Sequence, residues 1–218
     1  MRIMSPYTLK WFPGGDEINA VSVLIRENYY QNHHARLSHC MPWLLGMYDG
    51  RGALKAACGI QSAGQGPLFL EHYLDQPIEA LLASRITTCV ARESIVEVGN
   101  FTAADGASAR VMFAAVCQLL YQYHFAWIAF TGTRKIRNTF HRLHLQPIHL
   151  AAARPEKLAD AAREWGDYYQ HDPQVMAGEL PGGHATLSHS SLLLTLFTPL
   201  PAPPWADAGG EDYVSGHA

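Results

Sequence analysis

No stretch of this 218-residue chain reaches the roughly 18 consecutive apolar residues that a membrane-spanning helix needs. The opening segment, Met1 to Tyr7, lacks the apolar core of a secretory leader, so the reading is a cytoplasmic protein without a transmembrane segment. Cysteine is scarce: Cys40, Cys58, Cys89 and Cys117 are the only four, and they lie far apart. They form no CxxC pair and no HExxH accompanies them, so the sequence indicates neither a disulfide framework nor a metal centre. They read instead as reduced, buried, small apolar side chains. Basic runs are missing too, and a formal net charge of -3 leaves no face for nucleic acid. Charged residues make up only 16% against 48% hydrophobic, enough apolar material for a real core. No internal repeat is present. The expectation is a single domain over residues 1–198, followed by a Pro/Ala/Gly-rich tail over 199–218 that is disordered or wrapped on the surface.

What is present is an alternation of strand and helix patterns. Tyr7 to Trp11 reads as a short strand, and Asp16 as the cap of a helix with Ile18, Val21, Leu24, Ile25 and Tyr29 on one stripe. Pro42 to Tyr48 and Ala53 to Gln61, joined by Asp49-Gly50, form a hairpin signal. Pro77 opens a helix running to about Thr88. Ser94 to Thr102 is the most persuasive strand; a Gly-containing turn then leads into a long helix, Ser108 to about Tyr123. Ala126 to Phe130 reads as a buried strand, Arg134 to Leu143 as a basic helix, Ile148 to Ala152 as a strand and Pro155 to Trp165 as a helix. This mixture predicts an α/β fold with a mixed central sheet flanked by helices. The strands Ser94–Thr102 and Ala126–Phe130 are expected to be adjacent and parallel, with the long helix as their crossover.

Four segments in order carry a family resemblance: Leu68 to Glu79 (LFLEHYLDQPIE), Ile95 to Asn100 (IVEVGN), Phe130 to Asn138 (FTGTRKIRN) and Trp165 to Tyr169 (WGDYY). They resemble the motifs of the thermostable hemolysin family, and four ordered matches over about 100 residues are a specific signal. That family is in turn similar to the GNAT superfamily of acyltransferases, and within it to acyl-homoserine lactone synthases. The resemblance implies a GNAT-like fold and transfer of an acyl group from a thioester to an amine-bearing small molecule, in signal or natural-product biosynthesis. It implies no tightly bound cofactor. Acyl-phosphopantetheine on an acyl carrier protein, or acyl-coenzyme A, would be the co-substrate. A membrane-active or ligand-binding protein on the same fold, without catalysis, is the rival reading.

The same resemblance places candidate residues. Glu97, Glu71, Asn100 and Tyr168 are the catalytic candidates. Glu97 lies among Ile95, Val96 and Val98 on a strand expected to be buried, which raises a carboxyl pKa and suits a general base. The alternative is a carboxylate paired with Arg92 or Arg110. Glu71 would share the amine with Glu97 if the two lie on neighbouring strands, and His72 is a weaker alternative base. Asn100, standing where the synthases carry arginine, would bond the substrate or cap a strand end. Tyr168 or Tyr169 would protonate the leaving thiolate in place of Phe140, which occupies the usual tyrosine position, or would belong to an aromatic packing patch. For the donor, the candidates are Phe101, Gly106, Ser108, Arg110, Arg134, Arg137 and Asn138. The turn Ala104 to Ser108 opens a helix, as an anion site does, or is a plain turn capped by Asp105. Ala103 stands where coenzyme A-binding acetyltransferases carry Arg or Gln, while Arg134, Lys135 and Arg137 form a basic cluster. Together these favour a carrier protein as the partner.

Overall fold

The computed structural model describes residues 6–189, 191–198 and 202–205. Among them a seven-stranded sheet runs in the order β1-β2-β3-β4-β5-β7-β6. β1 (Tyr7–Gly15), β2 (Cys40–Asp49), β3 (Leu54–Ser62) and β4 (Ile95–Ala103) are antiparallel neighbours; β5 (Trp127–Gly132) joins β4 in parallel. β7 (Gln174–Glu179) then lies antiparallel between β5 and β6 (Ile148–Ala152). α3 (Gly106–Gln122) is the crossover between β4 and β5, as expected from the sequence.

Helices cover both faces. Alternate strand residues point to opposite sides, so Leu45, Cys58 and Val96 enter the core beneath α3 and α5 (Leu180–His189), together with Met112, Leu119 and Leu187. Leu44 and Ala57 enter the core beneath α1 (Ala20–His33), and Ile95, Ala129 and Val175 enter its continuation under α2 (Ile78–Ile86) and Tyr73.

Several local expectations are corrected. Asn19, not Asp16, caps α1: its side chain accepts from Val21 N and Ser22 N at 3.0 Å, while Ser22 Oγ accepts from Asn19 N. Ile18 therefore falls before the helix and is 81% exposed. Phe69–Tyr73, on which Glu71 and His72 lie, is a 3-10 turn and not a strand, so Glu71 and Glu97 are not on neighbouring strands. Pro155–Trp165 is 3-10, kinked at Ala159, where φ is 49°. Cys89 is exposed, whereas the other three cysteines are buried. β7 and α5 went unread. Of the expected tail, only 202–205 falls within the described residues, and there Trp205 packs edge-on against Trp11 with centroids 5.2 Å apart.

One irregularity positions the site. The β4–β5 ladder holds only through Ile95–Trp127, Val96–Ile128 and Glu97–Ala129. Beyond these pairs β4 continues along β3 and β5 along β7, so the two parallel strands part into a fork. β4 also shifts register against β3 between Ala57 and Gly59, opposite Asn100, whose φ is 48°. Asparagine enters this left-handed region more readily than most non-glycine residues. Asn100 Oδ1 anchors the strand there by accepting from Met41 N of β2 at 2.7 Å.

Candidate functional site

A cavity of about 950 Å³ occupies the fork and reaches both faces of the sheet. On the α3 face its wall is apolar, with Phe101, Phe113, Val116, Phe140, Leu145 and Leu180. Phe101 stacks flat on Phe113 at 4.3 Å between centroids, and Phe140 (on α4, Arg134–Arg142) packs against Phe113 and Phe130 at 4.8 and 4.6 Å. On the α1 face the wall is polar, with Asn28, Asn32, His33, Tyr168, Gln170 and His171. The space is therefore amphipathic along its length, oily on one side of the sheet and rich in hydrogen-bonding groups on the other.

Glu97 forms the last β4–β5 pair and its side chain shares the α1 face with Ile95, but like Glu71 and Asn100 it is not on the cavity wall; of the four catalytic candidates only Tyr168 is. It is 2% exposed and has no ion pair among the described residues. Its oxygens accept from Leu70 N at 3.2 and 3.3 Å and from the backbone of Phe69. Burial pushes its pKa up to about 8, against the opposing pull of those two N–H groups. Neither Arg92 nor Arg110 reaches it. Arg92 is bound to Glu71 and Glu79 at 2.7 and 2.8 Å, and Arg110 is exposed. The paired-carboxylate alternative for Glu97 is thereby overturned.

Glu71 is the opposite case. It accepts from Arg92, from Leu68 N at 2.9 Å and from Ile78 N at 3.1 Å, and the Arg92 guanidinium leads in holding its pKa down to about 2. Such a group is a permanent anion at neutral pH and no proton acceptor. Asn100 spends its side-chain oxygen on Met41 and shapes the strand beside the fork. His72 is exposed and bonds its own turn at Phe69 O.

Tyr168 lines the cavity, 5% exposed, its hydroxyl donating to Thr131 O at 3.2 Å. Burial, followed by Tyr29, raises its pKa well above the ordinary value, so it stays protonated. Tyr169 bonds Tyr73 hydroxyl to hydroxyl at 2.8 Å, away from the cavity wall.

Of the donor candidates, the cavity wall includes Phe101, Gly106 and Arg134. Ser108, Arg110, Arg137 and Asn138 are not on it. Ser108 N is taken by the Asp105 cap at 2.7 Å. Arg137 ties the end of β5 to the turn before β7 through Gly132 O at 3.0 Å and the Asp172 carboxylate at 2.6 Å. Arg110 and Asn138 face solvent.

Cys117 lies on the wall, but burial pushes its thiol up to about 12, which leaves it inert as a nucleophile. Sequence reasoning missed His33, Asn28 and Asn32 of α1 and His171; Lys135, read as part of the basic cluster, is on the wall with Arg134. The one available signal was the spacing of Asn28 with Asn32 and of Tyr29 with His33, four residues apart and so on neighbouring positions of one helix side. Among the described residues no group of three or more His, Cys, Asp or Glu side chains could hold a metal, and no helix is long and apolar enough to cross a membrane.

Solved structures share this architecture. TofI in an apo form is similar with a TM-score of 0.53 and 12% identity, over 83% of this chain and 95% of that chain. The acyl-homoserine lactone synthase LasI is similar at 0.53 and 11%, over 81% and 91%. FeeM, an N-acyl amino acid synthase from uncultured soil microbes, is similar at 0.52 and 15%, over 83% and 95%. At these identities the likeness establishes the fold, a GNAT-like α/β sheet. No curated protein matches the sequence. The model of the family described as thermostable hemolysin matches residues 13–184, and the chain belongs to that family.

Proposed function

We propose that the protein is an N-acyltransferase that moves an acyl group from a thioester to an amine-bearing small molecule, in signal or natural-product biosynthesis. The observation that carries this reading is the cavity's passage through the β4–β5 fork, with an apolar half on one face and a polar half on the other. Two substrates entering from opposite faces would meet at the fork, held in one geometry, which makes a bimolecular transfer effectively unimolecular. The acyl chain would lie against Phe113, Phe140 and Leu145, and the amine would enter between α1 and Tyr168. Glu97 lies behind the apex and off the cavity wall, so it would take the proton through a water relay and not by direct contact. Tyr168, which lines the cavity beside Tyr29, would return a proton to the thiolate once its hydroxyl leaves Thr131 O. Two relatives in fold are named as synthases of acylated products, which supports the same reaction class.

For the donor, the reading favours an acyl carrier protein over coenzyme A. The turn at Ala104 to Gly106 lines the cavity at the start of α3, yet Asp105 places a carboxylate there and already occupies Ser108 N. A pyrophosphate beside it would meet repulsion, whereas a carrier protein needs one phosphate contact and offers an acidic surface to exposed Arg134 and Lys135. A cytoplasmic setting suits the free thiols.

The test is incubation of the full chain with one acyl group on a carrier protein and on coenzyme A, each with an amine pool, followed by mass spectrometry. Amide formation with the carrier-bound donor, faster than with coenzyme A, is expected. Faster turnover with coenzyme A would overturn the carrier preference. No amide from either donor across several chain lengths would favour the non-catalytic alternative.

A further inference from the structure

In an acyltransferase of the kind proposed above, and resting on that reading, the proton balance calls for a second base. An ammonium that becomes an amide sheds two protons, whereas the departing thiolate takes up one. Glu97 and its water relay account for the first. The second leaves the nitrogen while it bonds to the thioester carbon, and so needs a base on the cavity wall beside the entering amine. Burial raises Tyr29, Tyr168 and Cys117, which therefore keep their protons, and the Asp105 carboxylate is spent on Ser108 N. Glu179 pairs with Trp127 at the start of β5, at the closed end of the fork. On the α1 side this leaves two imidazoles, His33 and His171.

His33 is the better placed, since His171 is exposed. It is the last residue of α1, half-buried, with its ring edge-on to Tyr168 at 5.2 Å between centroids, edge-on to His171 at 4.9 Å and tilted against Tyr29 at 5.8 Å. Nδ1 is buried without a partner, and no hydrogen bond among the described residues occupies Nε2, the nitrogen left for the cavity. The backbone is held as firmly. His33 O accepts from Asp167 N at 2.6 Å, and Gly166, with φ at 50°, lies so close that a Cβ there would strike the same oxygen. The segment Trp165 to Tyr169 is thus moulded on His33: glycine makes room for its carbonyl, Asp167 bonds that carbonyl and Tyr168 braces its ring. Burial, then His171 and Lys135, hold the imidazole below the ordinary histidine pKa, with Asp167 opposing, so the ring is neutral and free to accept a proton at neutral pH.

We infer that His33 is a catalytic base, its Nε2 taking the proton that the acceptor nitrogen loses as the new bond forms. The nitrogen lone pair attacks the thioester carbon, the C–N bond forms while this proton passes to Nε2, and the C–S bond breaks. The thiolate is protonated by Tyr168, whose hydroxyl regains its proton from the imidazolium through the cavity. Of the two protons lost by the nitrogen, one ends on the thiol and one in solvent.

Chemical rescue tests this. The full chain, His33→Ala and His33→Gln are compared with octanoyl groups on a carrier protein and on coenzyme A and the same amine pool, after a thermal melt of each. The His33 side chain makes no hydrogen bond among the described residues, so both variants should melt as wild type does, while amide formation should fall about 10²–10⁴-fold. His33→Gln fills most of the ring's space, so it reads the rate even where His33→Ala loosens the packing. Imidazole added to His33→Ala should restore part of the rate, and pyrazole, of the same size and shape but far less basic, should not. A wild-type rate in either folded variant, rescue by pyrazole as strong as by imidazole, or rescue by neither would overturn the inference and assign the ring to packing, with the acyltransferase reading intact. No amide from the wild type with either donor would overturn that reading and this inference with it.

Discussion

The 3-10 turn Phe69–Tyr73 lies between two carboxylates that the chain treats in opposite ways. Leu68 N, at its start, donates to Glu71, and Leu70 N, two residues on, donates to Glu97. Around Glu71 the chain supplies Arg92, which also binds Glu79, Ala63 O and Gly66 O, so the acid is one member of a network that pins the turn to the start of β4. Around Glu97 it supplies backbone N–H groups and no cation. Side-chain type is the same in the two places. The presence or absence of one guanidinium separates a structural anion from a buried acid that keeps its proton up to about pH 8.

The sharpest way to break this contrast is Glu97→Gln, which keeps shape and removes ionisation. If the acid takes the acceptor's proton, the transfer rate should fall about 10²–10⁴-fold while the melting profile stays folded and cooperative. A normal rate would assign Glu97 to packing. Next in size is Arg92→Ala, which strands two carboxylates at once. A loss of about 3 kcal/mol in denaturant unfolding is expected, with the per-molecule transfer rate largely kept where the chain remains folded. An unchanged midpoint would show that the network is solvated and idle.

The smallest effect, and the most diagnostic, is in the pH dependence of stability. Glu71, held at about 2 against an ordinary 4.5, stabilises the fold above 4.5, and that contribution is lost as the pH falls toward 2. Glu97 holds its proton more tightly folded than unfolded, so its contribution is present below 4.5 and is lost as the pH climbs through about 8. Thermal melts of Glu71→Gln and Glu97→Gln across this range should therefore diverge from wild type at opposite ends. Glu71→Gln should flatten the acid limb, and Glu97→Gln should melt above wild type once the pH passes about 8. Divergence at the same end would show the two environments to be alike.

The sheet's centre was legible in the sequence because its signals are local and doubled. Ser94 to Thr102 opens on the β-branched run Ile95, Val96 and Val98, and the long helix after it repeats apolar residues at helical spacing, so parallel pairing with Ala126 to Phe130 followed from chain handedness. β7 went unread because Gln174 to Glu179 mixes polar and small residues with only Val175 and Met176 as strand formers. The turn at Glu71 was misjudged for a different reason: its apolar run packs into the core as a strand would, and only contacts distant in sequence make it 3-10. Arg92 lies 21 residues from Glu71, and nothing in the sequence marks it as the partner of Glu71 instead of Glu97. The polar half of the cavity was hidden for the same cause, since His33, Lys135 and His171 meet through tertiary folding alone.

Asn100 reaches Met41 across β3, and the strand between them makes room with Gly59. A Cβ there would come within 2.6 Å of Met41 Cβ and 2.9 Å of Asn100 Oδ1. These positions on three different strands therefore form one heritable unit. A lineage that enlarges residue 59 displaces both the asparagine and the Met41 side chain, while one that replaces Asn100 loses the group that satisfies Met41 N and still needs glycine at 59, because Met41 Cβ remains. Across relatives of this protein glycine at 59 should outlast asparagine at 100, and the shape of the fork should change first with the asparagine.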